Sequence, residues 1–279
     1  MKIRYSEEYP AVGAALSMTV LGILYSGKSP FQKIDVIDAQ HFGKVLLIDD
    51  LVMLTEQDEF IYHEMITHIP LYTHPNPRRV LVIGGGDGGT LREVLKHPEV
   101  EHVDLVDIDK MVSEVCLEFF PQVANSLLSE KVTCRYEDGL AYVRNTDQKY
   151  DVILIDSTDP ISVGEGLFTP EFYGNCKKIL NDDGLLINQA ESPAYTPDWV
   201  RAISRKLEAL FPTVYFYQAH IPTYPSGHWL FGFASKRYHP LKDFRKEKYL
   251  QHNLSLKYYN KDVHYAAFAL PNFVKELVK

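Results

Sequence analysis

Residues 80–92 read Val80-Leu81-Val82-Ile83-Gly84-Gly85-Gly86-Asp87-Gly88-Gly89-Thr90-Leu91-Arg92, an apolar run that breaks into five glycines and one aspartate before a helical pattern resumes. A strand feeding a glycine-rich loop and then a helix is the opening of a nucleotide-binding βαβ unit, and it constrains the fold more than any other feature. Gly84, Gly86 and Gly89 satisfy the G-x-G-x-x-G spacing, in which missing side chains let backbone and helix N-terminus approach a ligand closely. Asp87 does not fit a dinucleotide. A pyrophosphate is held at a helix N-terminus by N–H donors and a partial positive charge, and a carboxylate in that cradle would repel it. The loop therefore points to a nucleoside carrying positive charge. Eighteen residues past Gly89, the run Val103-Asp104-Leu105-Val106-Asp107 ends in an acid, close to where a ribose-binding carboxylate is expected, about 20 residues on.

With 279 residues and 46% hydrophobic composition, the chain can bury a substantial core as one large domain or two small ones. Its periodicity changes near residue 55. Before that point, 18–25, 32–38 and 44–48 read as short strands, separated by Gly27-Lys28-Ser29-Pro30 and Phe42-Gly43 turn signals. These predict a small N-terminal antiparallel β domain over 1–55. The pattern is helical over 56–72, Pro75-Asn76-Pro77 then breaks the chain, and 56–279 forms the second domain. Strands near 80–83, 103–107, 132–136, 151–155 and 184–188 alternate with helical stretches such as 171–179 and 197–210, the signature of an α/β fold with a parallel sheet. Two further strand-like runs, 213–218 and 229–234, follow without a convincing helix between them and predict an antiparallel pair at one edge. The expected sheet is thus seven-stranded and mostly parallel. The tail, 258–279, holds an Ala266-Ala267-Phe268-Ala269-Leu270-Pro271 run and a short amphipathic helix that should dock.

The count of 29 Lys+Arg against 37 Asp+Glu, a net charge of -8, argues against nucleic acid and suits small cationic substrates. Cys116, Cys134 and Cys176 share no metal-ligand spacing and cannot all pair, which favours a reducing, cytoplasmic setting. The first eight residues lack the apolar core of a signal peptide, and no run approaches the 18 or so apolar residues of a membrane span.

Ligands of a parallel sheet bind outside the carboxyl ends of its strands, and here those positions are acidic. The first strand leads to Asp87, the second to Asp107, the third to Glu137-Asp138-Gly139, and the fourth to Asp156-Ser157-Thr158-Asp159-Pro160. Any one acid could be a helix N-cap. Four on one rim would repel one another without a cationic or hydrogen-bonding ligand. Asp138-Gly139 suits adenine, the carboxylate accepting from the exocyclic amine and glycine allowing the ring close. Asp156 and Asp159 could face one cavity, with 161–168, containing Gly164 and Gly166, as a lid. Tyr224, in the turn-rich 221–227 loop, and Asn188-Gln189-Ala190-Glu191 add a phenol, amides and an acid, which a polyamine would require between apolar walls. His63-Glu64-Met65-Ile66-Thr67-His68 is no zinc motif, because histidines at i and i+5 point roughly 140° apart on a helix. No G-x-S-x-G elbow, cysteine nucleophile motif or Walker lysine occurs.

Together these residues resemble the polyamine aminopropyltransferase (spermidine synthase) family. The resemblance is carried in order by Phe31-Gln32-Lys33-Ile34-Asp35-Val36, Asp58-Glu59-Phe60-Ile61-Tyr62-His63-Glu64-Met65, the Gly84 to Gly89 loop, the Asp156 to Pro160 segment and the 221–227 loop. It implies an N-terminal β domain followed by a Rossmann-like, class I methyltransferase-type catalytic domain, a homodimer or homotetramer, and transfer of the aminopropyl group of decarboxylated S-adenosylmethionine to putrescine. No cofactor is implied, since that donor is a co-substrate, and no metal, nucleic acid or membrane. By position, Gln32, Asp107 and Asp138-Gly139 would hold the nucleoside, and His63 and Asp87 the aminopropyl end. Tyr62, Asp159, Gln189, Glu191 and Tyr224 would line the diamine channel, with Asp156 as the acid-base residue. Two positions depart from the family: Asp107, where many relatives carry glutamate, and Ser162-Val163 in the lid, where Gly-Pro is common. Acceptor choice among putrescine, cadaverine, agmatine and longer amines is left open by the sequence.

Overall fold

The computed structural model describes residues 3–158 and 162–279, with backbone only at 162 and 163. Its first sheet is an antiparallel meander of β1 (Ile3–Tyr9), β2 (Ala14–Lys28), β3 (Lys33–Ala39), β4 (Gly43–Ile48) and β5 (Leu51–Thr55). The alternation of β3 and β4 sends Ile34, Val36, Leu46 and Ile48 towards the main core, and Ile37, Val45 and Leu47 into a separate cluster on the opposite face. β1 and β5 exceed the three strands expected from sequence. The β4–β5 hairpin turns through Asp49 and Asp50, both at positive φ (48° and 62°), where Asn or Gly is the usual signal. The turn is held instead by Asp49 Oδ1, which accepts from the Lys33 amide at 2.9 Å.

Helix α1 (Glu59–Leu71) links the two sheets and is buried over most of its length. It starts later than the sequence pattern suggests, because residues 56–58 form a turn closed by the Thr55 hydroxyl donating to Asp58 Oδ1 at 2.7 Å. The second sheet contains β6 (Arg79–Gly84), β7 (His102–Asp107), β8 (Val132–Tyr136), β9 (Tyr150–Asp156), β10 (Leu180–Gln189), β11 (Thr213–His220) and β12 (His228–Ser235), in the order β11-β12-β10-β9-β6-β7-β8. β8, β7, β6, β9 and β10 run parallel, while β12 is antiparallel to both β10 and β11. This is the seven-stranded, mostly parallel sheet with an antiparallel edge expected above.

Both faces of the sheet are covered by the helices α2 (Gly89–Val94), α3 (Lys110–Phe119), α4 (Pro121–Ala124), α5 (Gly139–Asn145), α6 (Pro170–Ile179) and α7 (Pro197–Glu208), together with α1. Val80 and Val82 pack into one core and Leu81 and Ile83 into the other, which is why β6 reads as a continuous apolar run. Chain order reverses at β6, which lies between β9 and β7, so the carboxyl ends open a crevice there. The tail forms helices rather than the single one expected: after α8 (Lys246–His252) come α9 (Lys261–Ala266) and α10 (Asn272–Leu277). α10 docks by burying Val274 and Leu277 beside α7. Among the described residues no helix is long and apolar enough to cross a membrane.

Candidate active site

The crevice is a cavity between the two sheets, with about 1200 Å³ of empty space including its mouth. The glycine loop forms its floor. Gly84 has φ +80°, and a Cβ there would come within 2.0 Å of the Asp156 carbonyl oxygen; only glycine lets β6 and β9 end side by side. A Cβ on Gly89 would lie 2.2 Å from the His63 ring, so the bare backbone at the start of α2 is what seats that imidazole.

Three of the four strand-end acids accept from nearby backbone. Asp87 Oδ1 takes the Gly89 amide at 2.6 Å, and Asp138 Oδ1 caps α5 by accepting from the Leu140 amide at 2.9 Å. Asp107 takes the Asp109 amide at 2.8 Å on Oδ1 and the Gly86 amide at 3.0 Å on Oδ2. The capping explanation and the binding explanation are therefore compatible, since a carboxylate has about four acceptor positions and these bonds use one or two. Asp87, Asp107, Asp138-Gly139 and Asp156 all line the same cavity.

Asp156, at the end of β9, accepts from the Thr90 hydroxyl at 2.6 Å and from Tyr62. Burial and the charge of Asp87 raise its pKa, against the opposing pull of His63 and the two hydroxyls. His63 is 3% exposed. Burial disfavours its cation, but Asp87 and Glu59 outweigh that and hold its pKa at about 10, so the ring is an imidazolium at neutral pH. Asp87 is only partly exposed, and desolvation works against its charge, yet His63 and the Gly89 amide keep it below the usual carboxylate range. Asp107 has no such cation, and burial pushes it up to about 6 despite its two backbone donors.

The opposite end is aromatic and amide-lined. Tyr62 packs against Tyr224 and Phe231 with ring centroids 5.7 and 5.3 Å apart. The Tyr224 hydroxyl donates to the Met53 carbonyl at 2.9 Å, and Thr223 is tied to Asp58 by two bonds of 2.8 and 3.1 Å. The 221–227 loop is thus fastened to both the first sheet and the start of α1. Gln189 lines the cavity, but Glu191 is not part of the wall. It pairs with Gln189 at φ 71°, its Oε1 accepting from Gln189 Nε2 at 3.1 Å while its amide donates back to Gln189 Oε1 at 3.0 Å. Gln32 also lines the cavity and donates to Asp109 Oδ2 at 2.9 Å. Asp159 and Ile161 lie outside the described residues; Ser162–Phe168 is a 3-10 turn that places Gly164 and Leu167 on the cavity wall.

Sequence reasoning missed Glu7, Thr90, Glu59 and Trp229. Glu7 is a buried acid on β1 that reaches the cavity and accepts from the Val52 amide at 2.8 Å. Its signal was the period-2 set Ile3, Tyr5, Glu7, Tyr9, masked by the polarity of the strand. Neither His63 nor His68 meets the other: His63 bonds Glu59 at 2.6 Å, and His68 bonds Glu93 at 3.0 Å. Within the described part of the chain, the group with metal-like spacing is His97, Glu99 and His252, where the Lys248 ammonium already sits 3.3 Å from Glu99.

The cavity therefore presents several carboxylates and a single imidazolium, with backbone glycines on one side and aromatics on the other. Residues 59–246 match the family model of the spermine/spermidine synthase domain, and residues 4–56 that of the spermidine synthase tetramerisation domain. A polyamine aminopropyltransferase of Alkaliphilus oremlandii is 51% identical, covering 100% of this chain and 99% of the relative; one of Clostridium perfringens is 52% identical with the same coverage. A spermidine synthase crystallised with the transition-state analogue AdoDATO superposes with a TM-score of 0.97 at 43% identity, over 99% of this chain and 94% of that one. The spermidine synthase of Thermotoga maritima superposes with a TM-score of 0.95, also at 43% identity and with the same coverage. This chain belongs to the spermine/spermidine synthase family and is a polyamine aminopropyltransferase.

Proposed function

We propose that the chain moves the aminopropyl group of decarboxylated S-adenosylmethionine to putrescine, giving spermidine and 5'-methylthioadenosine. The observation that carries this reading is the placing of Asp87 and Asp156 in one buried cavity, close enough for the charge of one to raise the pKa of the other. In this reading Asp87, on the cavity wall, faces the end of the donor's chain. Its carboxylate attracts an ammonium there and repels the carboxylate that ordinary S-adenosylmethionine would bring, which disfavours methyl transfer.

Gln32, Asp107 and Asp138-Gly139 then bind the nucleoside, and His63 and Asp87 the aminopropyl end. Tyr62, Tyr224, Gln189 and Asp159 hold the diamine, Glu191 acting through Gln189. The neutral amine attacks the carbon next to sulfur in line with the departing thioether. A C–N bond forms, the C–S pair returns to sulfur and cancels the sulfonium charge, and the amine proton passes to Asp156. The donor is consumed, so no cofactor is needed. The N-terminal sheet exposes Leu21 and Ile23 on β2 at 63% and 71%, apolar surface suited to a second copy of the chain and to a dimer or tetramer. Cys116, Cys134 and Cys176 are all free thiols, which supports a reducing compartment such as the cytoplasm.

Comparing kcat/KM for putrescine, cadaverine, agmatine and spermidine tests the acceptor. One methylene is worth about 1–3 kcal/mol of discrimination, or roughly 10- to 200-fold. Putrescine should lead by such a factor; a lead for another amine would reassign the substrate. Donor binding should also depend on pH. Asp107, with its pKa raised to about 6, protonates as pH falls through 6 and can no longer accept from two ribose hydroxyls. The donor's KM should rise about tenfold per unit below pH 6, and Asp107→Asn should flatten that dependence.

A further inference from the structure

Glu59 and Arg92 stand behind the cavity, and the roles proposed above leave them unused. Arg92 donates through two guanidinium nitrogens, one to each Glu59 oxygen, both at 2.9 Å. This is the bidentate fork that fixes a carboxylate in plane. Glu59 Oε2 lies 2.6 Å from His63 Nδ1, and His63 Nε2 lies 3.4 Å from Asp87 Oδ1. The result is a line of alternating charge, Arg92 to Glu59 to His63 to Asp87, nearly all of it out of water: the side chains of His63, Glu59, Asp87 and Arg92 are 3%, 7%, 17% and 22% exposed. The His63 ring sits against the bare Gly89 backbone, where an added Cβ would lie 2.2 Å from it.

We propose that Glu59, held by Arg92, is a positioning residue for donor recognition: it fixes His63 as an imidazolium aimed at one oxygen of Asp87, leaving the other as an anion for the donor's ammonium. This rests on the assignment of Asp87 to the donor's aminopropyl end. Asp87 is otherwise in a poor place for a charge, being largely out of water and near Asp156, whose charge interacts unfavourably with its own. His63 offsets that cost, and Glu59 offsets the cost of charging His63. The other titratable groups facing this line are Tyr62 on α1, Asp107 on β7 and Glu93, which takes a further Arg92 nitrogen at 2.8 Å.

Two measurements test it. In Glu59→Gln, the donor's KM should rise by about 10- to 100-fold, the loss expected for one charge-assisted bond. The diamine's KM and the kcat at saturating donor should stay within about threefold. Independently of turnover, NMR titration of histidine-labelled protein should find His63 charged up to pH about 10 in the wild type, and losing its proton at clearly lower pH in the variant. If Glu59→Gln folds poorly, Arg92→Lys, which keeps the charge and loses the fork, carries the same comparison with a smaller shift. An unshifted His63 titration, or equal rises in both KM values, overturns the proposal. A wild type that titrates as described but turns over no amine overturns the proposed reaction instead.

Discussion

Asp156→Asn is expected to lower kcat about a thousandfold while leaving donor affinity within a few-fold of wild type. The substitution keeps the size of the side chain, and an amide oxygen can still accept from Thr90, which donates to Asp156 at 2.6 Å. What it removes is the proton acceptor. A free carboxylate near pKa 4 facing an ammonium near 10 is mismatched by about 6 units, or roughly 8 kcal/mol, too much for simple abstraction. The cavity narrows that gap from one side: burial and Asp87 raise Asp156, while Tyr62 and Thr90 donate to it and keep it aimed. A bound sulfonium would narrow it from the other by acidifying the amine. A positioned base contributes about 10²- to 10⁴-fold, so single-turnover rates with saturating donor are the appropriate readout. Turnover within tenfold of wild type would remove Asp156 from the role of base. For the wild type, kcat should fall on the acid side as Asp156 takes up a proton, since only its anion can accept one from the amine.

The second large effect concerns donor choice. Asp87→Asn should lower kcat/KM for decarboxylated S-adenosylmethionine by about 10²- to 10⁴-fold, because breaking a buried ion pair costs about 3–5 kcal/mol. His63 retains Glu59 at 2.6 Å as its counter-ion, so the fold should survive the change. The carboxylated donor should lose little or gain affinity, since the repelling charge has gone. Competition between the two donors reads the ratio directly. A ratio unchanged from wild type would mean that selection lies elsewhere on the cavity wall.

The parallel sheet was legible because the apolar runs 80–83 of β6 and 152–155 of β9 are buried on both faces and end in glycine and acid signals, and β7 keeps the same signature although Asp104 interrupts it. The site was legible for a related reason: ligands of such a sheet sit at strand ends, and Asp87, Asp107, Asp138 and Asp156 all stand there. What stayed hidden depends on long-range pairing. β1 is polar and exposed along much of its length, so nothing local marks Glu7 as a cavity residue. β5 follows a turn made by two aspartates at positive φ, a conformation that tertiary contacts impose and the sequence does not announce. Glu59 was within reach, since it lies four residues before His63 on one helix face, the spacing at which side chains meet. Glu191, also named from sequence, has a positive φ and accepts a hydrogen bond from the Gln189 amide that lines the cavity.

The central claim is that this cavity transfers an aminopropyl group and discriminates by donor charge. The direct test is product analysis by mass spectrometry after incubation with putrescine and an equimolar mixture of decarboxylated and ordinary S-adenosylmethionine. The account predicts spermidine and 5'-methylthioadenosine in equal amounts, with the ordinary donor recovered intact. Methylated putrescine with S-adenosylhomocysteine, or consumption of both donors alike, would contradict it.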